Sequence, residues 1–238
     1  MKIAIIGYGK MGKTIERLAE AAGHEIVLRI SSENTAEMTS ESLQKADVAI
    51  EFSRPEEALR NIRCCLEVGL PVVSGTTGWL ADYETVKAEC LQKGGAFLYA
   101  SNFSIGVNLF FALNEYLASM MNGQPQYEVE LEEIHHTQKL DAPSGTGISL
   151  AEGVLRHLER KGRWRNERSE QPEDLALLSK RIDKVPGTHQ IRYSSREDTI
   201  EIKHTAHSRE GFASGAIRAA EWLIGKQGCF GMKDVLGF

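Results

Sequence analysis

Six residues near the amino end, Gly7-Tyr8-Gly9-Lys10-Met11-Gly12, restrict this chain more than any others. They follow a short apolar run, Lys2 to Ile6, and precede a helical pattern through Ile15, Leu18, Ala19 and Ala22 that closes at Gly23. Strand, Gly-x-Gly-x-x-Gly and helix, in that order, cradle a dinucleotide pyrophosphate at a helix amino end.

The next hundred residues keep alternating. A second strand, Glu25 to Ile30, ends about twenty residues after the glycines, where a carboxylate usually grips the ribose hydroxyls. Arg29, Ser31 and Ser32 stand there instead, with Glu33 slightly beyond. A 2′-phosphate is tolerated by such residues, so NADH and NADPH are both admissible. Asp47 to Phe52 reads as a third strand. Ser53-Arg54-Pro55 opens a helix to Glu67, with Ser53 as its cap. Pro71 to Ser74 is a fourth strand, ended by Gly75-Thr76-Thr77-Gly78; a helix over Leu80 to Gln92 and a fifth strand, Ala96 to Ala100, follow. This alternation predicts a parallel sheet wound on both faces, with ligands beyond the carboxyl ends of its strands. The loops there are Gly7 to Gly12, Phe52 to Arg54, Gly75 to Gly78 and Ser101 to Ser104. Their small and hydroxylated residues suit a nicotinamide-ribose, although Gly75 to Gly78 alone reads equally well as a plain turn.

After Gly106 the alternation breaks. A long apolar helix leads to Tyr127, Val129 and Leu131, which alternate with Glu128, Glu130 and Glu132 as a strand with one buried face, running out at Ile134. His135, His136 and Lys139 then occupy a polar loop. Pro143 stops the ladder, Ser144 caps, and Gly145, Thr146 and Gly147 open a helix carrying Ile148, Leu150, Val154, Leu155 and Leu158. The first turn of such a helix holds an anion, with the hydroxyls of Ser144 and Thr146 as added donors. Two imidazoles and an ammonium beside it suit a small carboxylate that must be protonated. Singly, each feature reads as a strand end, a solvated charge or a cap; together they point to a site. Arg163 to Pro172 reads as an exposed, charged excursion. Gln190 to Tyr193 and Thr199 to His204 read as two strands that join the Tyr127 strand in a mixed sheet. The last helix, Gly211 to Ile224, turns Phe212, Ile217, Ala220 and Leu223 to one side and returns to the first domain.

Bulk properties exclude some classes of function. A formal charge of -5 gives no basic stripe for nucleic acid. Cys64, Cys65, Cys90 and Cys229 lack Cys-x-x-Cys spacing, so a reducing cytoplasm is the simplest setting, and the amino end lacks the pattern of a signal peptide. The apolar stretch Ile105 to Met121 contains Asn108, Asn114 and Glu115 and predicts a core helix, not a membrane span. With 238 residues, one large domain or two small ones are possible.

Glu-Ile-His-His-x-x-Lys-x-Asp-Ala-Pro-Ser-Gly-Thr at Glu133 to Thr146 resembles the signature of the 4-hydroxy-tetrahydrodipicolinate (dihydrodipicolinate) reductases of the diaminopimelate route to lysine. The resemblance runs nearly end to end. It includes Gly7 to Gly12, Glu51 to Pro55, Gly75 to Gly78, Ser101 to Asn108, His204 to Arg209 and Phe212 to Ala216. It implies a Rossmann domain, 1–105 with 212–238, and a smaller α+β domain with a mixed sheet, 106–211, for substrate and for assembly of a homotetramer. It implies hydride transfer from NADH or NADPH to a small cyclic dicarboxylate, with no metal. By position, His135 resembles the proton donor/acceptor and Lys139 the proton donor, while His136, Ser144, Gly145 and Thr146 resemble the substrate contacts. Gly7, Tyr8, Gly9, Lys10, Met11 and Gly12 resemble the dinucleotide contacts, with Ser31, Phe52, Ser53, Arg54, Gly75, Thr76, Thr77, Ala100, Ser101, Asn102 and Phe103. Asp183 stands where the family's Gly is expected, which predicts a reshaped turn before the Gln190 strand. The rivals are an aspartate-dehydrogenase-like enzyme, a metal protein using His135, His136, His204 and His207, and a silent dinucleotide sensor.

Overall fold

A computed structural model describes residues 1–208 and 210–238. The chain divides into two compact units, Met1–Ile105 with Glu210–Phe238 and Gly106–Arg209. In chain order the elements are β1 (Lys2–Ile6), α1 (Lys10–Ala21), β2 (Glu25–Ile30), α2 (Ser40–Leu43), β3 (Val48–Glu51), α3 (Pro55–Glu67), β4 (Val72–Ser74), α4 (Tyr83–Gln92) and β5 (Ala96–Tyr99). They continue with α5 (Ile105–Met121), β6 (Glu128–His135), α6 (Gly145–His157), β7 (Arg163–Arg165), β8 (Asp174–Arg181), β9 (Gly187–Ser194) and β10 (Thr199–Ala206). The chain then returns to the first unit with α7 (Glu210–Leu223), β11 (Gly228–Phe230) and α8 (Met232–Leu236).

In the first unit the strand order is β11-β5-β4-β3-β1-β2, and every pair is parallel. Successive residues of a strand point to opposite faces, and here both faces are covered. Ile3, Ile5, Val48 and Ile50 pack with Ile15 and Ala19 of α1 and the alanines of α7. Ala4, Ile6, Ala49 and Val72 pack with Ile62, Cys65 and Leu66 of α3 and Val86 of α4. Five strands were expected; the sixth, β11, is three residues long and too short to leave a periodic signal. Arg54, not Ser53, is the N-cap residue of α3, without a side-chain cap bond. The Ser53 hydroxyl is drawn instead to the buried Glu51.

The second unit holds a mixed sheet ordered β10-β9-β6-β8-β7. β6, β8 and β7 run parallel, while β9 is antiparallel to both β6 and β10. One face lies under α5 and α6: Val129, Leu131, Leu177, Ile191 and Tyr193 meet Phe110, Leu117, Leu150 and Val154. Two strands differ from expectation. β8 was not foreseen, and the charged stretch Arg163 to Pro172 begins with β7 rather than a solvated excursion. Arg163 and Arg165 bind the two oxygens of Asp174 at 2.5 and 2.6 Å, so the charges that suggested exposure hold β7 at the sheet edge. In the turn before β9 the residue with positive φ is Lys184, at 62°, beside Asp183. No helix among the described residues is long and apolar enough to cross a membrane.

Candidate active site

In the first unit, the loop from β1 to α1 has the shape that a pyrophosphate cradle needs. Gly7 has φ +98°, and a Cβ there would lie 2.0 Å from the Phe52 carbonyl oxygen, so only glycine closes this turn. A Cβ on Gly9, the residue preceding α1, would meet nothing within 4 Å, which leaves the helix entrance open. Gly7, Tyr8, Gly9, Ser31, Phe52, Ser53 and Arg54 line one cavity of about 430 Å³. These residues fit a dinucleotide.

Other expected contacts serve the scaffold. The hydroxyls of Ser53, Ser74 and Thr76 all donate to the Glu51 carboxylate, the last two at 2.6 and 2.9 Å. The Thr76 hydroxyl also accepts the Ser53 N–H at 2.8 Å. Glu51, present in the Glu51 to Pro55 motif but given no role there, thereby ties the loops after β3 and β4 together. Phe103 is buried, its ring 5.6 Å from that of Phe52. Ala100 is buried, whereas Thr77 and Ser101 are exposed. Arg29 is engaged by Glu16, which accepts its Nε–H at 2.6 Å and also the Tyr8 hydroxyl.

In the second unit, β6 runs one residue past its expected end, and parity does the rest. Val129, Leu131, Glu133 and His135 all face inward. His135 is therefore a strand residue rather than a loop residue. The apolar rows of the sheet give way to a polar one, in which Glu133 is registered with Ser179 on β8 and His189 on β9, and His189 with His204 on β10. Glu133 is fully buried. It accepts the Ser144 N–H at 2.9 and 3.1 Å, the Ser179 hydroxyl at 2.9 Å and the Ser144 hydroxyl. Arg181 Nη1 lies 3.5 Å away, His189 Nε2 3.6 Å and His135 Nε2 3.7 Å. Burial alone would push this carboxyl up; the His189 ring and the donors of Ser144 and Ser179 outweigh it and bring it down to about 2. A Cβ on Gly147 would lie 2.6 Å from Glu133 Oε2, so α6 can dock on this carboxylate only with glycine there.

That docking alters one expectation. The Ser144 hydroxyl caps α6, accepting the Gly147 N–H at 3.0 Å, and gives its own proton to Glu133. It therefore offers no donor to a ligand. What the helix entrance presents is the N–H groups of Gly145 and Thr146, which precede the first intrahelical bond, Ile148 N–H to Ser144 C=O at 2.9 Å.

His135 Nδ1 faces the Pro186 carbonyl at 3.3 Å, and its Nε2 faces His189 Nε2 at 3.4 Å. Burial, then His189 and Lys139, lower its proton affinity against the opposing pull of Glu133. Lys139 donates to both oxygens of Asp141, at 2.7 and 2.8 Å, and holds the Asp141 carboxyl below its usual range. His136 is half-buried at the start of this loop. Arg181, opposite His135, ties the loop down by donating to the carbonyls of Lys139 at 3.4 Å and Asp141 at 2.5 Å. Among the described residues, the metal-type donors brought together are Glu133, His135 and His189, a different set from the four histidines considered above. Arg209 of the His204 to Arg209 stretch lies outside the described residues.

From the sequence, Glu133 stood only as the first residue of the motif, and Ser179, Arg181 and His189 were given no part in a site. The signal for Glu133 was present, since it shares the parity of Val129 and Leu131, but a buried carboxylate contradicts simple hydropathy. Arg181 supports a prediction. In Arg181→Ala the carbonyls of the half-buried Lys139 and the exposed Asp141 lose a charged donor that holds the loop, at about 1 kcal/mol for each such bond. The expected result is kcat/KM for the dicarboxylate lower by roughly tenfold or more, with dinucleotide binding unchanged, measured by steady-state kinetics and fluorescence titration.

Comparison with known proteins gives the same direction from end to end. Family models match residues 1–103, "Dihydrodipicolinate reductase, N-terminus", and 106–236, "Dihydrodipicolinate reductase, C-terminus". The 4-hydroxy-tetrahydrodipicolinate reductase of Christiangramia forsetii is 48% identical over 236 residues, which is 99% of this chain and 98% of that protein. That of Chromobacterium violaceum is 39% identical over 204 residues, 82% of this chain and 75% of its own. Among solved structures, a dipicolinate-bound dihydrodipicolinate reductase from Paenisporosarcina superposes with a TM-score of 0.79 over 98% of both chains, at 22% identity. With both halves of the sequence matched in order, and a relative 48% identical over 99% of this sequence, the chain belongs to the dihydrodipicolinate reductase family.

Proposed function

We propose that this chain reduces 4-hydroxy-tetrahydrodipicolinate to tetrahydrodipicolinate, with loss of water, in the diaminopimelate route to lysine. The carrying observation is the entrance of α6, where Gly145 and Thr146 N–H groups stand free of intrahelical bonds near a loop bearing His136 and Lys139. A ring carboxylate is held there by the N–H groups and the helix dipole. Lys139 and His136 hold the second carboxylate, Lys139 exchanging Asp141 for the ligand. A bound NADH or NADPH supplies the hydride, held by the Gly7 to Gly12 loop, Ser31 and the segments after β3, β4 and β5. The enamine left on the substrate takes a proton at C3, supplied by His135 or Lys139.

Both dinucleotides serve in this reading. Ser31 and Ser32, rather than a carboxylate, directly follow β2, and Arg29 is already paired with Glu16 and so does not demand a 2′-phosphate. The protein works in the cytoplasm as a homotetramer built on the mixed sheets. The test is oxidation of each cofactor with the unstable condensation product of aspartate semialdehyde and pyruvate. Rates per KM within about tenfold, or about 1.4 kcal/mol, are expected. Oxidation of neither cofactor removes the function, and a thousandfold preference removes dual use.

A further inference from the structure

Protons can be counted in the row beneath α6. Glu133 is ionised and only accepts. Ser144 Oγ has given its single proton to Glu133 and already accepts from Gly147 N–H. Facing His189 Nε2 at 3.3 Å, it has only a lone pair to offer. His189 Nε2 therefore carries a proton, with three acceptors around it: Ser144 Oγ, Glu133 Oε2 at 3.6 Å and His135 Nε2 at 3.4 Å. The Pro186 carbonyl can only accept, so His135 carries its proton on Nδ1 and presents the Nε2 lone pair to His189. The ring that faces His135 is thus His189, from β9.

The charges around the pair nearly cancel before any ligand arrives. Glu133 from β6 stands against Arg181 from β8, and Lys139 against Asp141 in the loop. From β10, His204 is registered with His189, and its buried Nδ1 has no partner among the described residues. The first turn of α6 adds no acidic residue. A ligand bringing two negative charges upsets this balance, and imidazoles are the groups that gain a proton near neutral pH.

We propose that His135 and His189 form a shared proton store, with Glu133 as its counter-charge, and that a dicarboxylate at the entrance of α6 loads it with one proton. The inference rests on the substrate site proposed above. On reaction, the N–H bond on His135 breaks and leaves its electron pair on nitrogen, while C3–H forms with the enamine's pair. The proton lost is the one on Nδ1. The His189 Nε2 proton crosses to His135 Nε2, the nitrogen that faces it, so His135 stays neutral in its other tautomer and His189 is a positioning residue that refills the ring.

The experiment is calorimetric titration with pyridine-2,6-dicarboxylate near pH 8, in buffers of different ionisation enthalpy, whose slope counts protons taken up. Wild type is expected to take up about one proton per site. Glu133→Gln and His189→Gln should each bind within about threefold of wild type, yet take up under about 0.3 proton and lose roughly a hundredfold in kcat. Having two variants covers the failure of either to fold. Tight binding without proton uptake in wild type, or full uptake in both variants, overturns the proton store and leaves the substrate site standing. Absence of binding, or binding indifferent to Lys139→Ala, overturns the substrate site itself.

Discussion

Replacing His135 and Lys139 together by alanine is expected to abolish turnover while NADH and NADPH still bind within a few-fold of the wild-type affinity. The reasoning is electronic. Hydride addition at C4 leaves an enamine-like carbanion, and the product forms only when C3 takes a proton. A positioned acid contributes typically ~10²–10⁴-fold to such a step. Removing either side chain alone is expected to cost within that range. Removing both leaves the ring without a proton source and one carboxylate without a cation. The losses will not simply add if the two groups serve one step. The cradle at Gly7 to Gly12 lies in the other unit and keeps its own geometry. Steady-state rates with fluorescence titration of the dinucleotide separate the two effects, and full activity in the double variant would remove the site assignment.

The second large effect is structural. Glu133→Ala leaves the Ser144 N–H and hydroxyl, the Ser179 hydroxyl and the Arg181 guanidinium without their common acceptor in a dry interior. Breaking a buried charge network of this kind costs about 3–5 kcal/mol, which for a chain of this size lowers the melting temperature by roughly 10 °C. The loss is expected to fall on the docking of α6, and so on dicarboxylate binding as well. Glu133→Gln, which keeps the shape and one acceptor, should lose about half as much stability while α6 stays docked and dicarboxylate binding stays near wild type.

The pH dependence carries the same signature. The Glu133 carboxyl is depressed from 4.5 to about 2, so its contribution is complete above its unfolded value and is lost as pH falls from there towards about 2. At about 1.4 kcal/mol per unit this is on the order of 3 kcal/mol. His135 acts in the same direction at higher pH, because its buried ring resists the proton that the unfolded chain accepts below 6.5. Wild type should therefore weaken below pH 6.5 and again below 4.5, whereas Glu133→Gln should show a smaller second phase, the remainder belonging to other depressed carboxyls such as Asp174. Denaturant melts across this range test it, and an unchanged acid limb in the variant would refute the depressed carboxyl.

Much of the molecule was legible because local chemistry determines it. Gly7 closes a turn that no side chain tolerates, and the apolar runs of β1 and β3 can only be buried parallel strands. Ser144 caps α6 because its hydroxyl meets a nearby N–H. Among three-residue strands, β4 was legible from its apolar run, whereas β11 (Gly-Cys-Phe) has no such run, and β7 escaped because its arginines imitate a solvent-facing run until Asp174 is brought beside them.

From order alone, the sequence determined that a glycine turn between strand and helix comes first and a serine-capped helix entrance later, because both depend on residues within a few positions of one another. Tertiary structure alone decided that Glu133, His189 and Arg181 meet beside His135. These side chains come from three strands, up to 56 positions apart in number. They meet only because parallel and antiparallel registers align them, and a buried carboxylate is tolerable only once those donors surround it.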